Sequence, residues 1–270
     1  MSNAEHSLPQ VFTKSADAPQ AFSDVMAAEL TRLMRKGAPR VLAILLIGLL
    51  GYFGLVVASS QLTESVPTQV SAANGFISMF YFMIGVYTVC SVSREHEDGS
   101  VLATLSAVPN RLRLYAARLS SWIVLAVCAG AICYIVTFAV ATPFQESAFG
   151  GIDAGELASG FALSMVKCAF TAILCFSIGT VLRRVGLGLV VYFALDVIGT
   201  MLLSLLTASL PENIANVVSK ISNAMPGTLI NALTNGVGGM ESVMHTLLCL
   251  VAWAVAAVLA STAVFRRVSK

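Results

Sequence analysis

The chain has 270 residues, of which 57% are hydrophobic and 11% are charged. A soluble domain is about a quarter charged, so this chain has too few charges to cover a surface that faces water. The apolar residues form blocks of about 20, the length of a membrane-crossing helix, and do not alternate with polar residues as β-barrel strands do. We therefore predict an all-α polytopic membrane protein, in which the distribution of charge matters more than the net value of +2.

The N-terminal region is expected to comprise a flexible cytoplasmic tail over residues 1–20 and an amphipathic helix over residues 21–37. The apolar residues of this helix recur at helical spacing and are Phe22, Val25, Met26, Leu30 and Leu33. We assign its other faces to Asp24, Glu29, Arg32 and Lys36. An amphipathic helix with a basic end, ahead of a span, is typical of the cytoplasmic membrane interface. Packing on a soluble partner is the alternative.

Six apolar blocks predict six transmembrane helices. Their bounds are 41–59, 72–92, 119–142, 159–182, 186–208 and 243–265. Of the 16 Lys and Arg residues, fourteen lie before the first span, between spans two and three, between spans four and five, or after span six. Because basic residues collect in cytoplasmic loops, we expect both termini to be cytoplasmic.

The loop between spans two and three is unusually charged. Its ionised residues are Arg94, Glu95, Glu97, Asp98, Arg111, Arg113 and Arg118. Between these charges, Val101, Leu102, Leu105 and Val108 form a short apolar helical face, which Gly99 and Pro109 bound. A short helix with charged flanks is suited to a groove on another protein, so we predict a partner contact here.

The segment between spans five and six, LPENIANVVSKISNAMPGTLINALTNGVGG, is too polar and too often broken to span. Its apolar stripe comprises Ile214, Val217, Val218 and Ile221, and it contains Pro211 and Pro226. We predict one or two short helices that dip back into the outer leaflet. An ordinary external loop is the alternative.

Motifs for catalysis or metal binding are absent from the sequence. It has no HExxH, no paired aspartates across two spans, no Ser/His pair and no GxxxxGK[ST] loop. We therefore predict no catalytic, metal-binding or cofactor-binding residue, and we do not expect the chain to be an enzyme.

Two ionisable residues, Lys167 and Asp196, lie near mid-depth of predicted spans four and five. Charged groups in a bilayer are costly, so they are usually paired or functional. A very short turn joins these spans, which makes them antiparallel neighbours, and we predict that Lys167 and Asp196 pair. The pair either tethers two helices or lines a substrate path, and the sequence leaves both open.

The charged loop resembles that of the permease subunits of ABC-2-type transporters. The matching residues, in order, are Glu95, Glu97, Gly99, Leu102, Leu105, Pro109, Arg111 and Arg113. Arg118 stands where that family often has a lysine. The amphipathic helix, the six spans and the stretch SNAMPGTLINAL extend the resemblance, whereas the short external segments differ from members that have a large external domain.

The resemblance implies that the short loop helix is a coupling helix that docks on an ATP-binding subunit. The contact would comprise Glu95, Glu97, Asp98, Gly99, Leu102, Leu105, Pro109, Arg111 and Arg113. It also implies a second permease subunit, identical or homologous, and ATP and Mg bound only by the partner. The expected location is the cytoplasmic (inner) membrane, and no nucleic acid is expected as a partner.

The resemblance implies ATP-driven export. The expected cargo is an apolar or amphipathic compound, such as a drug, a lipid or a peptide, because the spans are mostly Ala, Val, Leu, Phe and Met. One alternative is a secondary transporter driven by an ion gradient, although no inverted repeat of broken helices is evident. The other is a membrane assembly protein that transports nothing.

Overall fold

A computed structural model describes residues 21–60, 67–99, 111–141, 154–209, 211–235 and 240–267. These residues are almost entirely helical and contain no β-strand, which confirms the all-α class for this part of the chain. The helices are α1 (Phe22–Arg35), α2 (Ala38–Ser60), α3 (Pro67–Glu97), α4 (Arg111–Ala141), α5 (Ala154–Leu182), α6 (Val185–Phe193), α7 (Gly199–Ser209), α8 (Glu212–Asn223), α9 (Pro226–Asn235) and α10 (Met240–Arg267). A π-helical turn, Ala194–Ile198, joins α6 to α7.

Four helices in the described ranges are long and apolar enough to cross a membrane. They are Ile77–Glu97, Arg111–Thr137, Ala158–Leu182 and Val243–Arg267. A fifth span results if α6, the π-helical turn and α7 are taken together, and α2 contributes the shorter apolar stretch Ala38–Gly48. The chain is therefore an all-α membrane protein, and the count of six spans stays a prediction.

Helix α5 is the centre of the fold, where it packs against α3, α4 and α10. Within its apolar window 61% of the residues are buried, against 11% in α10, whose outer side is apolar and exposed. Glycines bring the central helices close together, since a Cβ on Gly179 would lie 3.0 Å from Val92 Cβ, and one on Gly188 would lie 2.8 Å from Val89 Cγ1. Small residues at helix contacts are the usual means of packing helices in lipid.

The helices that flank the charged loop extend beyond the predicted spans. We predicted spans that end at Val92 and restart at Leu119; α3 continues to Glu97 and α4 begins at Arg111. No Pro or Gly interrupts residues 93–98 or 111–118, and the first turns of α4 bury Leu114 and Tyr115. The predicted coupling helix, with Leu102, Leu105 and Pro109, lies outside the described residues, as does the tail over residues 1–20.

The fifth predicted span is broken rather than continuous. Val185–Ile198 and Met201–Thr207 meet at 41°. In the π-helical turn at the end of the first piece, the backbone N–H of Gly199 donates to the carbonyl of Ala194, five residues back instead of four. π-Bulges of this kind are frequent at functional sites, and this one contains Asp196.

The segment before α10 folds into two short helices, α8 and α9, and their place in the outer leaflet stays a prediction. The apolar stripe of α8 is exposed at Ile214, Val217 and Ile221. Helix α9 instead packs inward, where Leu229 joins a core cluster that includes Leu250 and Tyr192. The indole Nε1–H of Trp253 in α10 donates to the carbonyl of Ala224 at 2.8 Å and fixes the turn between α8 and α9.

Candidate functional site

Helix α1 packs against the ends of α3 and α4. Val25 shares a buried cluster with Leu114 and Ala117 of α4. Near the other end of α1, Leu33 packs in a second cluster with Val92 of α3 and with several buried aromatic side chains. The chain itself therefore covers much of the apolar face of α1, while Phe22 stays 40% exposed.

Five ionised side chains from α1, α3 and α4 meet in this region, and we call them the charged cluster: Glu29, Arg32, Lys36, Glu95 and Arg118. The Glu95 carboxylate lies 3.0 Å from Lys36 Nζ, 3.1 Å from Arg32 Nη2 and 3.6 Å from Arg118 Nη1. The Glu29 carboxylate lies 3.0 Å from Arg32 Nη1 and 3.2 Å from Arg118 Nε. Two acids thus bridge three cations across three helices.

The charged cluster is largely enclosed, because Glu29 and Glu95 are each 8% exposed and Arg118 is 5% exposed. A buried ion pair is costly to form and more costly to break, since removal of one partner leaves the other charge in a poorly solvated place. The cluster therefore acts as a joint that holds α1 against the two helices flanking residues 100–110.

The position of Glu29 corrects the helical wheel drawn from the sequence. We placed Glu29 on a polar face of α1, but it is buried between Val25 and Leu33. The spacing of four residues puts all three on one stripe, about 40° apart per step. Glu29 is accommodated in this buried stripe because its carboxylate forms an ion pair with Arg118.

The other predicted contact residues that the structure describes lie around the base of the loop. Glu97 Oε1 accepts a hydrogen bond from the backbone N–H of Val185 at 3.0 Å, and so caps the first turn of α6. Asp98 is exposed, and Gly99 has a φ of 67°, the left-handed conformation that often follows a helix end. Arg111 is exposed and Arg113 half-buried in the first turn of α4.

A second region of interest is a cavity of about 320 Å³ beside the π-helical turn, which we call the Asp196 cavity. It is lined by residues of α3, α5, α6, α9 and the π-helical turn and is partly open. Its polar lining comprises Ser78, Tyr81, Thr171, Tyr192, Asp196 and Asn231, and its apolar lining comprises Met79, Phe82, Val197 and Ile230. Asp196 is half-buried, whereas Tyr81 and Tyr192 are almost fully buried.

Lys167 is almost fully enclosed in α5, at 2% exposure. Thr171, one turn further along α5, lines the same cavity as Asp196, so the two ionisable residues belong to neighbouring parts of the core. Their predicted pairing stays a prediction.

The sequence indicated some of these residues but not their association. Glu95, Arg118 and Asp196 were marked by their type and place, whereas the role of Glu29 was missed. The only available signal for Glu29 was its spacing of four from Val25 and Leu33. Nothing in the sequence linked Tyr81, Tyr192 and Asn231 to Asp196, because they come from four separate elements. Over the described ranges, no group of three His, Cys, Asp or Glu side chains is arranged to hold a metal.

Comparison with protein-family models gives no match, and comparison with curated protein sequences gives none either.

Proposed function

We propose that this chain is the membrane-spanning subunit of an ATP-driven transporter of the ABC-2 type. The observation that carries the proposal is the charged cluster, which joins α1 to the two helices that flank the predicted coupling helix. Such a joint is what a coupling loop requires, because a force applied to residues 100–110 is transmitted only if the bases of the loop are held firmly.

In this proposal a separate subunit binds ATP and Mg and docks on the loop between α3 and α4. ATP acts by favouring one arrangement of the spans, which requires that the nucleotide subunit bind the two arrangements with different affinity. Glu95 has its carboxylate directed to cations of its own chain. The docking surface would therefore be formed mainly by Leu102, Leu105, Arg111 and Arg113, with Asp98 at its edge.

The proposal further takes the complex to contain a second permease subunit and to lie in the cytoplasmic membrane with both termini inside. The cargo would be an apolar or amphipathic compound, which the complex exports. The lining of the Asp196 cavity, which combines aromatic rings with a few polar groups, supports a cargo of this kind.

The experiment is purification of the affinity-tagged chain from its native membranes, followed by assay of vanadate-sensitive ATP hydrolysis. The test variant is the double substitution Arg111→Glu with Arg113→Glu. The matched control is Arg266→Glu with Arg267→Glu, which makes the same charge change at exposed residues of α10. We expect the loop variant to lose about tenfold or more of the co-purifying hydrolysis and the control to retain it.

A preparation of intact wild-type chain with no associated ATP hydrolysis would contradict the proposal. A second candidate is a secondary transporter, and one observation favours it: Asp196 lies in a broken helix beside a cavity, as ion sites of such transporters do. Transport by the chain alone in proteoliposomes, driven by an ion gradient, would decide for that candidate.

A further inference from the structure

Helix α1 lies at one end of the helices that can cross a membrane. Leu33 of α1 packs in one cluster with Val92, Tyr115 and Phe265, which come from α3, α4 and α10. Each of these three residues lies within two turns of the end of its candidate span. A bilayer that covers the spans would therefore have its headgroups at the level of α1.

An exposed side of α1 carries a shallow, open hollow of about 530 Å³, which we call the basic hollow. The residues that line it are Ala28, Thr31, Arg32, Arg35 and Lys36. They share one helix face because steps of three and four residues return to the same side. The lining thus contains three cations and no acid. The nearest acid along this face, Asp24, is about 16 Å from Arg35 along the helix axis, well beyond the screening length at physiological salt.

The cations around the basic hollow exceed the acids that neutralise them. The charged cluster has three cations and two acids, so it keeps one positive charge in excess. Lys36 of this cluster has a side chain that is still 42% exposed. Arg35 is exposed and forms no ion pair with any described residue, and Arg40 at the start of α2 is exposed as well. The carbonyl end of α1 supplies only about half a negative charge, so an anion is attracted here.

Exposed apolar surface follows the basic hollow directly in the chain. Helix α2 begins two residues after Lys36 and exposes Val41, Ile44 and Ile47 in its first three turns. A phospholipid with an anionic headgroup matches both features, because its phosphate suits the cations and its acyl chains suit the apolar side chains. Free phosphate or an acidic soluble protein would match the charge alone.

We propose that the basic hollow binds the headgroup of an anionic phospholipid. Arg35 donates hydrogen bonds to the phosphate oxygens, Lys36 contributes a second positive charge, and the acyl chains lie along the start of α2. Because the charged cluster joins α1 to the bases of the loop, the bound lipid holds this joint at the membrane surface. An influence of the lipid on coupling rests on the proposed function, but its binding to the chain does not.

The test uses the full chain, purified in detergent, stripped of lipid and titrated with lipid in native mass spectrometry, which counts the lipids bound. Dioleoyl phosphatidylglycerol is the probe. Dioleoyl phosphatidylcholine is the control lipid, because it has the same phosphate and chains but a headgroup of zero net charge. We expect the anionic lipid to bind about tenfold more tightly. Inorganic phosphate at the same concentration should not displace it, since it lacks acyl chains.

Four variants separate the basic hollow from the general charge of this end of the protein. Arg35→Gln should weaken binding of phosphatidylglycerol about fivefold, the contribution of one basic residue near an anionic surface, whereas Arg35→Lys should stay within about twofold of wild type. Arg184→Gln is the matched control and should have no effect, because this exposed arginine lies at the same end of the protein but outside the hollow. Ala28→Lys adds a cation to the lining and should tighten binding several-fold. Retention of fold is checked by size-exclusion chromatography and thermal unfolding.

The inference is overturned if the folded Arg35→Gln variant binds phosphatidylglycerol as tightly as wild type, or if phosphatidylcholine binds equally well. Displacement by inorganic phosphate at equal concentration would assign the hollow to a free anion instead. Unchanged lipid binding by Arg35→Gln, together with a loss of co-purifying ATP hydrolysis, would assign it to a protein partner. Should Arg35→Gln fail to fold, Ala28→Lys decides, and an unchanged affinity there overturns the inference too.

The lipid titration uses no ATP and no partner subunit. Its failure therefore leaves the proposed coupling to an ATP-binding subunit untouched, and failure of the loop experiment leaves the lipid result intact.

Discussion

Helix α3 contributes side chains to two regions that differ in the surroundings of their charged groups. Near its end, Glu95 meets three cations of the same chain in the charged cluster. About 20 Å earlier along the helix, Ser78, Tyr81 and Phe82 line a cavity in which Asp196 lies beside aromatic rings. The first arrangement pairs ionised groups with one another and makes a joint, whereas the second places a carboxylate among aromatic and hydroxyl groups at the wall of a cavity.

The difference has a physical cause in the packing of the two regions. At the charged cluster, α1, α3 and α4 are continuous helices whose side chains interdigitate. At the cavity, the α6–α7 segment contains a π-helical turn and bends by 41° just after it, so the neighbouring helices do not close around the segment. Four predictions test this contrast, and they are given in order of decreasing effect.

The substitution Glu95→Gln should have the largest effect on stability. It leaves the buried guanidinium of Arg118 without one of its two acids and removes the only acid that contacts Lys36 in the described part of the chain. We expect a loss of about 3 kcal/mol in the free energy of unfolding, measured by denaturant titration in detergent. Glu97→Gln is the control, because Glu97 is exposed and supports a single cap, so its effect should be about 1 kcal/mol or less.

The substitution Gly227→Ala should disrupt the cavity rather than the joint. The added methyl group meets backbone atoms of Asp196, which move only with the whole π-helical turn. We expect a loss of about 2 kcal/mol in the free energy of unfolding, measured by denaturant titration. Unchanged stability would mean that the close approach of α9 to the π-helical turn does not contribute to the fold.

A pair of glycines two residues apart in α6 tests the close packing of the central helices. Gly188→Ala should cost about 1.5 kcal/mol, since its Cβ would lie 2.8 Å from Val89 Cγ1. Gly186→Ala is the matched control, because a Cβ there meets nothing within 4 Å, and alanine favours the helix by up to about 1 kcal/mol. Gly188→Ala should therefore lower the midpoint of thermal unfolding, and Gly186→Ala should raise it. Equal shifts of the two midpoints would contradict the packing described above.

The smallest effect is expected from Trp253→Phe. This change removes the hydrogen bond from the indole N–H to the carbonyl of Ala224 but keeps an aromatic ring in α10. Loss of one such bond costs about 1 kcal/mol. A decrease well above that value in denaturant titration would indicate that the α8–α9 turn contributes more to the fold than this bond does.

Most of the fold class could be predicted from the sequence, whereas the candidate site could be predicted only in part. The apolar blocks predicted a helical membrane protein, because lipid leaves the backbone few other ways to satisfy its hydrogen bonds. Around the charged loop, α3 extends five residues and α4 eight residues beyond the predicted span bounds. Hydropathy marks only the apolar part of each segment, whereas the helices also include charged residues there, and packing on α1 stabilises the start of α4.

The amino-acid sequence by itself determined that the chain is apolar enough to enter a membrane, where its charges lie along the chain, and that Lys167 and Asp196 fall inside apolar segments. Only the tertiary structure decided that Glu29 faces Arg118, that the fifth apolar block bends just after a π-helical turn that contains Asp196, and that side chains from separate helices line a cavity there. The reason is that composition and periodicity report what each residue tolerates locally. The partners that charges and rings find are set by contacts between elements that lie far apart in the chain.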